Sequence, residues 1–225
     1  LAMGSIAEEK SEGTLEFLLT RPIQPIECIA GKFLGILLFF SIATAFVFPI
    51  AWSFHYFGSV DWGQTGAQYF GGIFLAAVLA SLGIAISSLV RSQITAFILS
   101  AIASFFLIIS GMDIVTSRLP LAVAPFFEQL SVYNHFTSLA RRVIDTRDVW
   151  YFFSFTAVFL SVAFLNLLHL KQGSKRKSYR QYRLALGVLL GIAFFSNILG
   201  SKIPGRLDLT RDKLYTLSPT TKTLL

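Results

Sequence analysis

The chain has 225 residues, of which 54% are hydrophobic and 14% are charged, against about 25% charged residues in ordinary soluble domains. This number of charged residues is too small to form the polar surface of a soluble protein. The composition therefore excludes an ordinary soluble domain and indicates a membrane protein. The net charge of +7 is then interpreted as loop charge that orients the spans rather than as a nucleic-acid-binding surface. The single cysteine, Cys28, excludes an internal disulfide and a cysteine-based metal site.

An acidic segment lies directly before the first apolar run. Residues 6–20 read IAEEKSEGTLEFLLT and predict a short helix. Its glutamates four residues apart share one side of that helix: Glu8, Glu12 and Glu16. Gly13 weakens the helix, and Pro22 and Pro25 end it before the first span. A helix rigidly joined to a span can transmit motion from a soluble partner, and an ordinary juxtamembrane loop is the alternative.

Five apolar windows approach or exceed the roughly 20 residues that a membrane-spanning helix needs. They cover about residues 33–57, 66–90, 93–112, 149–170 and, shorter than the rest, 184–198. The first four contain no Asp, Glu, Lys or Arg, each of which would cost about 2.5–3.5 kcal/mol at the centre of a span. The windows predict an all-α integral membrane protein with about five transmembrane helices.

The second window carries a stripe of small residues at helical spacing. They are Ala76, Ala80, Gly83 and Ser87. Small side chains let helices approach closely in lipid, so the stripe predicts a helix-packing face. The alternative is that it only reflects the high content of small residues in this window.

A long polar insert separates the third window from the fourth. Pro120 and Pro125 discourage a continuous helix at its start. Beyond them, apolar residues recur at spacings of three, four and seven: Phe126, Leu130, Tyr133 and Ala140. The pattern predicts an extracytoplasmic amphipathic helix at the membrane interface, with a packed loop helix as the alternative.

The distribution of Lys and Arg predicts the orientation of the spans. Six basic residues lie in KQGSKRKSYRQYR, residues 171–183, which the positive-inside rule makes cytoplasmic. Counting back across alternating spans places the acidic segment and the short turn at residues 91–93 on the same side. The long insert and the residues after 198 then face outward.

Several kinds of catalytic chemistry lack support in the sequence. There is no GxxxxGK[ST] loop for ATP and no GxSxG elbow for a hydrolase. The histidines, His55, His135 and His169, lack paired carboxylates nearby in sequence and are interpreted as interfacial or loop residues rather than metal ligands. Ionisable groups are essentially missing from the middle of the spans, which argues against proton coupling. This composition fits a transporter whose energy comes from another subunit.

The acidic segment resembles permease subunits of ABC-2 type transporters, particularly the gliding-motility and nitrous-oxide-accessory branch. The matching residues are Ala7, Glu8, Glu9, Lys10, Gly13, Thr14, Leu15, Glu16, Leu18, Leu19, Pro22, Gly31 and Lys32. The likeness extends to about residue 170, with the family's first two spans missing from this chain. It implies a multi-pass permease of a bacterial cytoplasmic membrane, acting as a dimer in contact with lipid, with no cofactor of its own because a separate ATPase subunit binds ATP. The residues assigned to ATPase coupling are Glu8, Glu9, Lys10, Gly13, Thr14 and Glu16.

The end of the chain carries a second resemblance. GRLDLTRDKLYTLSPTTKTLL, residues 205–225, is similar to the start of the auxiliary gliding-motility-type protein that accompanies such permeases. We therefore expect a coupling segment at 1–28, a permease domain at 29–171, a basic cytoplasmic loop at 172–183 and, at 184–225, a span leading into a truncated extracytoplasmic domain. A membrane anchor without transport and an ion-coupled carrier are the competing interpretations.

Overall fold

The computed structural model describes residues 2–15, 17, 24–58, 61–120, 122–140, 143–172, 177–200 and 206–208, and it is overwhelmingly helical. The helices are α1 (Ala7–Ser11), α2 (Pro25–Ala45), α3 (Phe48–Phe57), α4 (Trp62–Leu89), α5 (Gln93–Ile109), α6 (Asp113–Thr116), α7 (Ala124–Leu130), α8 (Val132–Ala140), α9 (Thr146–Gln172) and α10 (Lys177–Gly200). Two three-residue strands, β1 (Val143–Asp145) and β2 (Arg206–Asp208), pair antiparallel, which the sequence did not predict.

Three helices of the described chain are long and apolar enough to cross a membrane: Pro25–Phe54, Trp62–Leu89 and Thr146–Lys171. A fourth apolar helix, Gln93–Ile109, has 17 residues. These four correspond to the first four predicted windows, and the fifth window lies within α10. The expectation of an all-α membrane protein is therefore confirmed.

Local sequence explains where these helices begin. The backbone N–H of Gln24 donates to the Glu27 carboxylate (3.0 Å), and Pro25 occupies the first turn, where its missing N–H costs nothing. The Asp61 carboxylate accepts from the backbone N–H groups of Gly63 (2.9 Å) and Gln64 (3.2 Å) and so caps α4. Pro49, which cannot donate to a preceding carbonyl, lies just after the interruption between α2 and α3.

Helix α4 is the centre of the bundle. It packs most extensively on α9 and also contacts α2, α5 and α8. A buried cluster joins these elements through Val78, Leu82, Leu107, Val132, Leu139, Tyr151 and Phe152. Large apolar side chains along α2 and α5 instead point away from the protein, as expected for surfaces that meet lipid.

The two ends of the bundle differ in composition. One end brings together the start of α2, the end of α4 and the later part of α9, and it carries Lys10, Lys32 and Arg91. The opposite end has an aromatic cluster, in which the rings of Trp52 and Trp62 lie 5.8 Å apart and Phe48 and Tyr69 pack beside them. Aromatic clusters of this kind are typical of a membrane–water interface.

The prediction of one continuous helix over residues 6–20 was wrong. Helix α1 ends at Ser11, and Gly13 adopts a left-handed backbone with φ of 75° before the chain becomes helical again at Thr14. Glycine enters this region without the steric cost that a Cβ imposes, so the weak point of the pattern is a real break. The break follows Glu12, whose backbone N–H still donates to the Glu8 carbonyl (3.0 Å), so Glu8 and Glu12 remain on one side of this turn.

The insert contains an amphipathic helix, α8, but the face that the sequence predicted for it was wrong. Ser131 has an extended backbone (ψ of 117°) and divides the segment into α7 and α8. The face of α8 that packs on the bundle consists of Val132, His135 and Leu139, whereas Phe126 and Tyr133 are exposed. The break shifts the helical phase, so a stripe counted across it joins residues that do not share a face.

Candidate functional site

The start of α1 is hydrogen-bonded to the end of α4. The backbone N–H groups of Ile6 (3.0 Å) and Ala7 (2.8 Å) both donate to the hydroxyl oxygen of Ser87, which is fully buried. The first N–H groups of a helix have no partner within it, so this hydroxyl satisfies donors that would otherwise be buried and unpaired. Residues 2–15, which include α1 and are called the α1 segment below, are thus fixed to α4 by their backbone.

The carbonyl of Ser88 joins α1 to a second span. It accepts hydrogen bonds from the ammonium of Lys10 and from the side-chain amide of Asn166 on α9. Burial lowers the pKa of Lys10, and the positive charge of Arg91 lowers it further. The end of α4, α9 and α1 therefore meet at one carbonyl oxygen.

An ion pair joins α1 to the start of α2. The Lys32 ammonium lies 2.6 Å from the Glu9 carboxylate and also donates to the carbonyl of Ser5. The side chains are 19% and 31% exposed, so this pair is more shielded from water than an ordinary surface pair. Glu9 is consequently engaged within the chain.

An apolar underside completes the attachment of the segment. Ile6 and Leu15 are buried against Ile29 of α2, Ile84 of α4 and Leu167 of α9. Burying side chains of this size is worth about 1.5–3 kcal/mol each relative to full exposure. The α1 segment is therefore held by hydrogen bonds to α2 and α4 and by apolar contacts with α2, α4 and α9.

The structure divides the predicted coupling residues into two sets. Glu8, Gly13 and Thr14 lie on the outer surface, whereas Glu9 and Lys10 face the bundle. Glu12, which the helical pattern grouped with Glu8 and Glu16, is also exposed and follows the end of α1. Glu16 lies outside the described residues. The outer surface formed by Glu8, Ser11, Glu12 and Thr14 is called the acidic surface below.

The small-residue stripe of α4 receives the start of the chain. Ala80, Gly83 and Ser87 are buried and Ala76 is half-buried. A Cβ at Gly83 would lie 2.9 Å from the Cβ of Ala2, so the absence of a side chain permits this close approach. The stripe thus packs at least partly against the residues that precede α1.

A second polar cluster, which sequence reasoning missed, lies at the opposite end of the bundle. His135 Nδ1 lies 2.7 Å from Asp148 Oδ1, and both side chains are nearly or fully buried. The imidazole stacks on the ring of Tyr151 with centroids 3.8 Å apart. Sequence reasoning did not identify this partner of His135, because Asp148 lies 13 positions away and only the packing of α8 on α9 brings the two residues together.

This cluster also caps α7. His135 Nε2 donates to the carbonyl of Gln129 (3.2 Å), and the Tyr151 hydroxyl donates to that of Leu130 (2.6 Å). Because a carbonyl only accepts, Nε2 is the donor to Gln129, and the other ring nitrogen, Nδ1, faces Asp148. The last carbonyls of a helix need such partners, and no spacing in the sequence identifies which side chains will supply them.

Neighbouring contacts fix α8 to the end of α5. Asn134 donates to the carbonyl of Gly111 (3.1 Å), and the Ser131 hydroxyl donates to that of Ile108 (3.3 Å). A Cβ at Gly111 would lie 2.3 Å from the Cβ of Ser131, a distance that real atoms do not adopt. Gly111 is therefore required for this approach.

Two neighbouring cavities adjoin the His135 cluster. The larger, of about 400 Å³, lies between α5, α7, α9 and α10 and is lined mostly by apolar side chains. The smaller, of about 60 Å³, is lined by Gln129, His135, Arg147, Tyr151 and Asn197. Within the described ranges, no group of three or more His, Cys, Asp or Glu residues could hold a metal ion.

Comparison with known proteins assigns the chain to a family. Residues 1–171 match the family model described as ABC-2 family transporter protein. No curated protein and no solved structure matches the chain. Since the match covers most of the chain and the described helices are those of a multi-pass membrane protein, the chain belongs to the ABC-2 transporter family as a membrane permease component.

Proposed function

We propose that this chain is the permease subunit of an ABC exporter and that the α1 segment couples it to a separate ATPase subunit. The observation that carries this proposal is the attachment of α1 to α2, α4 and α9 at one end of the bundle. A force applied to α1 would reach three spans through hydrogen bonds, an ion pair and buried apolar contacts. The chain itself contains no GxxxxGK[ST] loop, so ATP would be bound by the partner.

The distribution of charge supports a cytoplasmic position for α1. Lys10, Lys32, Arg91 and Lys171 lie at or near the end of the bundle that carries α1, and the aromatic cluster lies at the other. Basic residues favour the cytoplasmic side. An ATPase in the cytoplasm of a bacterium would therefore meet the acidic surface directly from the inner face of the cytoplasmic membrane.

The acidic surface is suited to a partner that presents basic side chains. Glu8 and Glu12 are exposed, and the ion pair with Lys32 already occupies Glu9. Exposed charges steer association and are screened by salt over about 8–10 Å, so binding of the ATPase would weaken as ionic strength rises.

Charge reversal at the acidic surface tests this function. Glu8→Lys/Glu12→Lys should lower the ATPase activity that the permease stimulates in proteoliposomes, while insertion and folding stay unchanged. Glu128→Lys is the matched control, because Glu128 is also exposed and lies at the opposite end of the bundle. Equal ATPase stimulation and equal complex assembly in the double variant and the wild type would refute the coupling role and favour a non-transporting anchor of an envelope or gliding-motility complex.

We further propose that the permease works as a dimer embedded in lipid, in the gliding-motility and nitrous-oxide-accessory branch of the family. The supporting observations are the motif residues of the acidic segment and the similarity of residues 205–225 to an auxiliary gliding-motility-type protein. Of residues 205–225, the structure describes only 206–208. Chemical cross-linking of the full chain in vesicles, with mass measurement of the products, tests the dimer.

A further inference from the structure

We propose that the two adjoining cavities beside the His135 cluster form one binding site for a single-chain amphiphile with an acidic headgroup. The apolar chain occupies the larger cavity and the headgroup lies in the smaller recess, against Arg147. This site lies at the end of the bundle opposite α1, so it does not depend on the coupling role proposed for the acidic surface.

The larger cavity has the size and lining of a ligand pocket. Its volume of about 400 Å³ falls within the roughly 300–1,000 Å³ typical of small-molecule sites. Leu107, Phe155, Val158 and Leu190 contribute to its wall from three helices. An ion or a small polar molecule would find almost no hydrogen-bond partner on these side chains, whereas a hydrocarbon chain would bury its surface.

The smaller recess supplies polar groups at one end of that cavity. Gln129, Tyr151 and Asn197 line both spaces, so the recess and the larger cavity are neighbours. Arg147 and His135 line only the recess. A ligand that fills both spaces must therefore have an apolar chain at one end and a polar group at the other.

Charge indicates which polar group fits the recess. The Asp148 carboxylate lies 2.7 Å from His135 Nδ1 and compensates any positive charge on that imidazole. Arg147, in contrast, is exposed at the recess, and its guanidinium can bind a carboxylate or phosphate with paired hydrogen bonds. Asp148 and Tyr151 also hold the imidazole in place from α9. The recess therefore favours an anionic headgroup over a neutral one.

The walls of the recess are fixed before any ligand binds. Asn197 on α10 donates to the Ser154 hydroxyl (2.9 Å) and so joins α10 to α9. The Gln129 carbonyl accepts from His135 Nε2, which positions the end of α7. A site built from side chains already held in place loses less entropy when the ligand binds.

The experiment uses the full chain in nanodiscs of zwitterionic lipid, without the ATPase, titrated with a fluorescent polyene fatty acid and with its methyl ester. We expect saturable binding, with the acid preferred. Arg147→Gln should lower affinity for the acid by at least about tenfold, as expected for the loss of the paired charge-assisted hydrogen bonds, and leave affinity for the ester unchanged.

A second pair of variants distinguishes the cavity from general partition into lipid. Leu190→Trp should abolish binding of both probes by filling the larger cavity, whereas Val188→Trp is a matched control on an exposed position of the same helix. Equal binding by these two variants, or an unchanged preference for the acid in Arg147→Gln, would overturn the proposal. Because no ATP hydrolysis is measured, a failure here leaves the coupling proposal intact, and the reverse also holds.

Discussion

The hydroxyl of Ser87 should control whether the α1 segment stays attached to the bundle. Replacing it by Ala removes the acceptor of the backbone N–H groups of Ile6 and Ala7 and changes little else in size. Both donors would then be buried without a partner as long as the segment keeps its position. We therefore expect Ser87→Ala to weaken docking of α1 without unfolding the spans.

The expected magnitude follows from the two donors. An unsatisfied buried donor costs about 1–3 kcal/mol, so two of them cost about 2–6 kcal/mol in the docked state. In the undocked state both donors form hydrogen bonds with water and the cost is absent. The substitution therefore destabilises the docked state relative to the undocked one. At the lower limit of about 2 kcal/mol, the undocked population rises roughly thirtyfold.

Amide hydrogen exchange of the full chain, followed by mass spectrometry over residues 2–15, measures this opening directly. Ser81→Ala is the matched control, because Ser81 is also fully buried on α4 but its hydroxyl donates only to the Val78 carbonyl of the same helix. We expect faster exchange in Ser87→Ala alone. Equal exchange rates in the two variants would show that Ser87 does not hold α1 and would refute this account of docking.

Three further predictions concern contacts elsewhere in the chain. Glu9→Lys should raise the same exchange rates by placing a positive charge beside Lys32. Adding Lys32→Glu should restore them in part, because it re-forms the ion pair but removes the donor to the Ser5 carbonyl; no rescue would mean that the pair does not stabilise docking. Gly111→Ala should lower the free energy of unfolding of the detergent-solubilised chain by about 1–3 kcal/mol, measured by thermal melting, because the alanine Cβ would overlap Ser131. Gly35→Ala is the control, because no atom lies near the added Cβ at that position. Burial lowers the pKa of Lys10 from its usual 10.5, so the folded state releases this proton at a lower pH than the unfolded state does. The free energy of unfolding should therefore increase as pH rises from the lowered pKa to 10.5. Lys10→Met should remove this increase.

The spans could be predicted from the sequence because the requirement for them is local. A run of about 20 apolar residues without charge satisfies its backbone hydrogen bonds within one helix, whichever neighbours it later meets. The first windows therefore correspond closely to α2 with α3 and to α4. The break at Gly13 was visible as a weak point, but its left-handed backbone was not.

The sites depended on information that no local pattern carries. The glutamates of the acidic segment look alike in sequence, yet Glu9 faces Lys32 and Glu8 faces outward because of how α1 packs on the bundle. His135 and Asp148 lie on different helices, and only the packing of α8 on α9 makes them partners. The sequence by itself determined the membrane-spanning helices and the composition of their ends, because these follow from solvation along the chain. Tertiary structure alone decided which polar groups are paired and which remain exposed, because that depends on the distances between elements that are separate in sequence.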